Sequence, residues 1–160
     1  MEEQFDKTEF NKGFRTKNII FFALSAGQLF MLAVIWFLNS DRTHFPNELE
    51  RYFIFIVPTV GLISMFLSRF VYSQALIKLN PTYSIPEKLM KYRTFKIISW
   101  AILEGAALFS LVAFFVTANY LYVAVFIFVF GFFLFNRPSK EGFVIDMQIT
   151  GPIKETILRS

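Results

Sequence analysis

From Ile97 to Ala118 the chain runs for 22 residues with a single charge, Glu104. A helix of that length crosses the ~30 Å hydrocarbon core of a bilayer. Three further runs have the same character, at about 18–39, 52–77 and 120–136, and the first span is broken only by Ser25 and Gln28. With the third taken as about 95–118, the chain reads as four spans. Hydrophobic residues make up 55% of the 160, and 23 of them are Phe. A soluble domain of this size cannot enclose so much apolar surface. The expectation is an all-α fold: an integral membrane four-helix bundle, one membrane domain over 1–160, with the lipid bilayer as its first partner.

Glu104 lies eight residues beyond Lys96, about 12 Å deep at ~1.5 Å per residue and close to the bilayer centre. A charged carboxylate there costs roughly 2.5 kcal/mol or more. Glu104 is therefore expected to be neutral, paired, or turned to a polar cavity. Each alternative places it in a protein interior and not against lipid.

The segments between the runs set the topology. Met1 to Lys17 reads as a short polar lead-in. Phe10 and Phe14, one helical turn apart, offer the alternative of a helix resting on the membrane. No small-residue cleavage site follows the first run, so that run is expected to stay as an anchor. Trp36 suits an interfacial aromatic belt, and Pro58 predicts a kink in span two. Arg69 ends the apolar core of that span and is expected to snorkel to the near interface, the alternative being a buried acid as partner.

Lys78 to Arg93 reads as the main loop, with four basic residues and one acidic. Only Thr117-Ala118-Asn119-Tyr120 separates spans three and four, which predicts an antiparallel hairpin. The tail from Glu141 to Ser160 is amphipathic by two periods. Phe143, Val144 and Met147 suit a helix lying on the membrane, while Phe143, Ile145, Met147 and Ile149 suit a strand, and both stay open. Lys and Arg concentrate in the N-terminal segment, the middle loop and the C-terminal segment. The positive-inside rule then places both termini and the middle loop in the cytoplasm, across a cell (inner) membrane.

Sliding the chain on itself by 78 residues brings Thr16 onto Thr94, Ile19-Ile20 onto Ile97-Ile98, Ala23 onto Ala101 and Gly27 onto Gly105. This suggests two repeated helical hairpins, 16–78 and 94–148. Ala23-x-x-x-Gly27 and Ala101-x-x-x-Gly105 are small-xxx-small pairs that let helix backbones approach closely. They predict that spans one and three pack through these faces. Gln28 and Glu104 would then lie on the same flank of the contact, at similar depth, as a hydrogen-bonded pair.

Pro86-Glu87, Lys91, Thr94, Ile97-Ile98, Ala101 and the run Glu104-Gly105-Ala106-Ala107-Leu108-Phe109 resemble the ion-carrying outer helix of the proteolipid, or c, subunit of rotary ATP synthases. The resemblance covers about 24 residues. It implies that Glu104 binds the transported ion, and Gly105 and Ala106, which carry no hydroxyl, resemble the proton-specific pattern. Span two offers Gly61 alone where the inner helix of that family is Gly-rich. The duplicated members of the family carry the carboxylate on their fourth helix, whereas Glu104 is on the third.

The composition narrows the function classes. There is no Cys and one His, His44, so thiol chemistry is excluded and a metal site is not expected. No nucleophile–base constellation or phosphate-binding loop occurs, so neither an enzyme nor a cofactor site is expected. The basic residues sit where topology places them, which argues against nucleic acid. The expectation is a non-catalytic subunit or assembly partner in a membrane complex, as a homo-oligomer or part of a larger assembly. A proton-binding proteolipid-like subunit of an ion-translocating complex, or a small transporter, is the alternative.

Overall fold

The computed structural model describes residues 7–42, 48–80 and 83–159; His44 lies outside them. The chain is all-α, with helices α1 (Lys7–Asn39), α2 (Glu48–Ile77), α3 (Ile85–Thr117), α4 (Leu121–Phe135), α5 (Lys140–Asp146) and α6 (Pro152–Leu158). No strand occurs among the described residues.

Three helices, α1, α2 and α3, are long and apolar enough to cross a membrane. At 15 residues, α4 reaches only about 22 Å, short of the hydrocarbon thickness. It meets α5 at a bend of 73°, and the bent pair counted as one span would make four. The outside of the bundle is as apolar as its inside. Phe30, Phe37, Phe55 and Phe66 are 71, 77, 74 and 75% exposed, an arrangement that water penalises and lipid does not.

The centre of the bundle is α3, which packs against α1, α2 and α4; α2 also packs against α4. The short α3–α4 connection gives the antiparallel hairpin expected. Ala118 takes a left-handed conformation (φ 54°) and returns its N–H to the carbonyl of Phe114 at 2.8 Å, closing α3 as a C-cap. By contrast α1 and α2 touch only slightly.

Aromatic side chains fix how three of these helices meet. Trp100 of α3 is fully buried and donates from Nε1 to the carbonyl of Asn136 at 3.0 Å. The Phe21 ring of α1 stacks on Phe133 of α4 at 4.9 Å and lies 5.2 Å from Trp100. Two glycines leave room for side chains of a neighbouring helix. A methyl group at Gly61 would meet Val129 at 3.2 Å and Val125 at 3.3 Å, so α2 and α4 approach there; one at Gly13 would meet Leu89 at 2.9 Å, between α1 and α3.

A second core closes the basic end of the bundle, and it changes three expectations. From Lys7 to Lys17 the lead-in is part of α1, and Phe10 and Phe14 are buried against Phe143 of α5 and its neighbours. The main loop is shorter than its charge suggests, because α3 begins at Ile85. The Ser84 N–H and hydroxyl both donate to Glu87 Oε2, at 2.9 and 3.0 Å, and Pro86 stands in the first turn, so the helix starts before its apolar stretch does. The tail takes the helical alternative and not the strand. Phe143, Val144 and Met147 of and beyond α5 are buried, and Gly151 (φ 75°) turns the chain into α6, which buries Ile157.

Candidate functional site

The inward stripe of α1 advances in steps of three and four residues: Phe14, Lys17, Phe21, Leu24, Gln28, then Ile35 and Asn39. This is the seam a helix presents to a neighbour it runs alongside. Two contacts pin that seam to α3. Near the basic end Phe21 meets Trp100; near the other end Asn39 Nδ2 donates to the carbonyl of Phe114 at 2.9 Å. The helices are therefore parallel, as the topology requires, and Gln28 and Glu104 both lie between these two fixed points.

They do not form the expected pair. Gln28 is fully buried, yet neither its Oε1 nor its Nε2 has a hydrogen-bond partner. Glu104 is partly exposed on α3, and among the described residues nothing hydrogen-bonds to it or pairs with its charge. Two polar groups thus sit mid-helix without a hydrogen-bond partner among the described residues.

The small-residue contact from which that pair followed is also absent. Ala23, Gly27, Ala101 and Gly105 are all exposed, and a methyl group at Gly27 or Gly105 would meet nothing within 4 Å. The reason lies in the aromatic residues. Seating Phe21 between Trp100 and Phe133 turns the Ala23/Gly27 side of α1 outwards. The result is an open, low-relief surface on the outside of α3, with Glu104 beside Ala101 and Gly105.

Arg69 is exposed, with its guanidinium 5.1 Å from the centre of the Phe132 ring; no carboxylate pairs with it among the described residues. Among those residues no group of three or more His, Cys, Asp or Glu comes together that could hold a metal.

Sequence reasoning missed a polar cluster at the basic end. Lys17 is fully buried, with its Nζ 3.7 Å from the Phe14 ring centre and 4.1 Å from that of Tyr92. Lys96 lies 4.3 Å from the Tyr72 ring centre, and the Tyr72 hydroxyl donates to Asp146 of α5. Aromatic faces thus carry two cations where few acceptors are present. The signal was available, since Lys17 and Lys96 each stand within two residues of the start of an apolar run, at Ile19 and Ile97.

At the opposite end Glu50 accepts from the Asn119 side chain, and Arg42 donates to the carbonyl of Phe115 at 2.9 Å. These contacts satisfy helix ends. The mid-helix group differs from both end clusters in its place, halfway along α1 and α3. No protein-family model, curated protein or solved structure matches the chain.

Proposed function

We propose that the chain is a four-helix integral membrane protein, with both termini and the basic end in the cytoplasm, that serves as a non-catalytic assembly partner in a membrane complex. The α4–α5 pair makes the fourth, bent crossing. The observation that carries this reading is Glu104: a partly exposed carboxyl in the middle of α3, without a partner, beside the open Ala101/Gly105 surface. In lipid an unpaired carboxyl is costly, and a small-residue surface admits a second helix closely enough for a hydrogen bond. A helix from another subunit, or from another copy of this chain, would satisfy both conditions.

A photo-crosslinking residue at Ala101 or Val112, on that face of α3, tests the reading in native membranes. A discrete protein adduct from both sites, and none from Phe66 on the outside of α2, is the expected result. Adducts with lipid alone would oppose it.

A second reading rests on the same group. A solitary carboxyl turned to the outside of the bundle is also where a proton-binding subunit would carry its proton, as the resemblance around Glu104 implies. A hydrophobic carbodiimide should then label the wild type and not Glu104→Gln. Equal labelling of the two would remove this reading and leave assembly.

A further inference from the structure

At the basic end a groove of about 720 Å³ runs between the last turns of α2 and the first turns of α3. Its lining, which also includes Ala75 and Leu79, places lysines towards the loop that joins the two helices and aromatic residues further along each helix. Lys78, just past the end of α2, and Lys91, near the start of α3, stand at the rim, with Gln74 and Tyr83 beside them. Phe70 and Val71 of α2, and Phe95 of α3, form the wall further in. Phe70 is eight residues from Lys78, about 12 Å along the helix, and Phe95 is one turn deeper than Lys91. None of the described residues lining the groove is acidic. The nearest carboxylate along α3, Glu87, is held chiefly by Ser84 through the two hydrogen bonds that open the helix, with a weaker charge interaction with Lys91.

We infer that this groove binds an acidic glycerophospholipid of the leaflet that faces the basic end. The cationic rim receives the phosphate and its anionic headgroup, with Gln74 and Tyr83 as hydrogen-bond donors, and the apolar wall receives an acyl chain. The order of the lining is the argument. A free anion would use the rim and gain nothing from Phe70 and Phe95; a neutral lipid would use the wall and gain little from two lysines. Only a ligand with its anionic part at interfacial depth and its apolar part below uses both. Basic pockets between helices at the cytoplasmic face recognise lipid headgroups on this principle. The inference rests on the membrane reading of the helices, and not on the assembly reading.

Native mass spectrometry of the full chain in mild detergent tests it, with phosphatidylglycerol or phosphatidylcholine of the same acyl length added. Dependence on detergent for solubility, checked beforehand, reports the membrane reading separately, and the protein mass in the same spectra reports assembly separately. Phosphatidylglycerol should be retained in preference, and Lys78→Gln and Lys91→Gln should each weaken its retention about fivefold. Neither variant should alter phosphatidylcholine, and Lys154→Gln on α6 should match the wild type. Both rim lysines are exposed, so these variants keep the fold. Equal retention of the two lipids by the wild type would overturn the inference, as would an undiminished preference in the double variant. Displacement of phosphatidylglycerol by inorganic phosphate would assign the rim to a free anion and overturn it as well.

Discussion

Asn39 Nδ2 donates to the carbonyl oxygen of Phe114 at 2.9 Å, joining the C-terminal turn of α1 to that of the parallel helix α3. Asn39 is 3% exposed, so the bond is made away from solvent. Arg42 continues the link by donating to Phe115, one of the carbonyls that α3 cannot satisfy within itself. Asn39→Leu should lower stability by about 1 kcal/mol, the net value of one such bond. Equilibrium unfolding in mixed detergent micelles measures it. An unchanged midpoint would mean that α1 is held by its aromatic contacts alone.

The glycines divide into two groups by what surrounds them. Gly61→Leu should cost about 1–3 kcal/mol, because Val125 and Val129 of α4 already stand where the new side chain must go. Gly27→Leu should leave the isolated chain at least as stable as the wild type, since the site is open and leucine favours helix over glycine. The same unfolding experiment ranks the two, and the reverse ranking would contradict the packing described.

Lys17 is buried on the faces of Phe14 and Tyr92, and its ammonium group has no hydrogen-bond partner among the described residues. Lys17→Met keeps the apolar stem and removes the buried charge. It should be neutral or stabilising, because a desolvated cation gains less from two rings than its hydration is worth. Lys17→Ala should destabilise by about 2 kcal/mol or more through lost packing. A loss in Lys17→Met as large as in Lys17→Ala would show that the cation–π contacts dominate.

Topology is tested at the two ends of the bundle. Asp41, just past α1, and Glu141, in α5, are both exposed. A membrane-impermeant thiol reagent applied to intact cells should label Asp41→Cys and spare Glu141→Cys. The opposite pattern would invert the orientation.

The apolar helices were legible because lipid-spanning length and the scarcity of charge are properties of the sequence itself. Their ends were less so. Lys7 to Lys17 and Ile85 to Arg93 are polar enough to read as non-spanning segments, yet Phe10, Phe14 and Tyr92 give them a buried side that α5 and α6, with Tyr72 and Leu76 of α2, complete. Ser84-Ile85-Pro86-Glu87, read as part of the main loop, forms the cap that starts α3, a signature that is local in the sequence. The rotation of α1 against α3 was not legible. Small-residue spacing pointed to Gly27 and Gly105, but the contact is set by how Phe21 fits Trp100 and Phe133, a three-helix relation that no single stretch contains. Glu104 stood out in the sequence by its depth; that it meets no partner within the chain is a property of the assembled helices.

The central claim is that the Glu104 face of α3 is completed by a helix from outside the chain. A Cβ atom added at Gly105 meets nothing within 4 Å and the residue is exposed, so Gly105→Leu should leave the isolated protein folded while blocking an external partner. The measurement is the protein mass of the particle extracted from native membranes in mild detergent. The wild type should exceed the 18.7 kDa of one chain, and Gly105→Leu should fall to the single-chain mass with its helices intact. A single-chain mass for the wild type, or an unaltered particle in Gly105→Leu, would contradict the account.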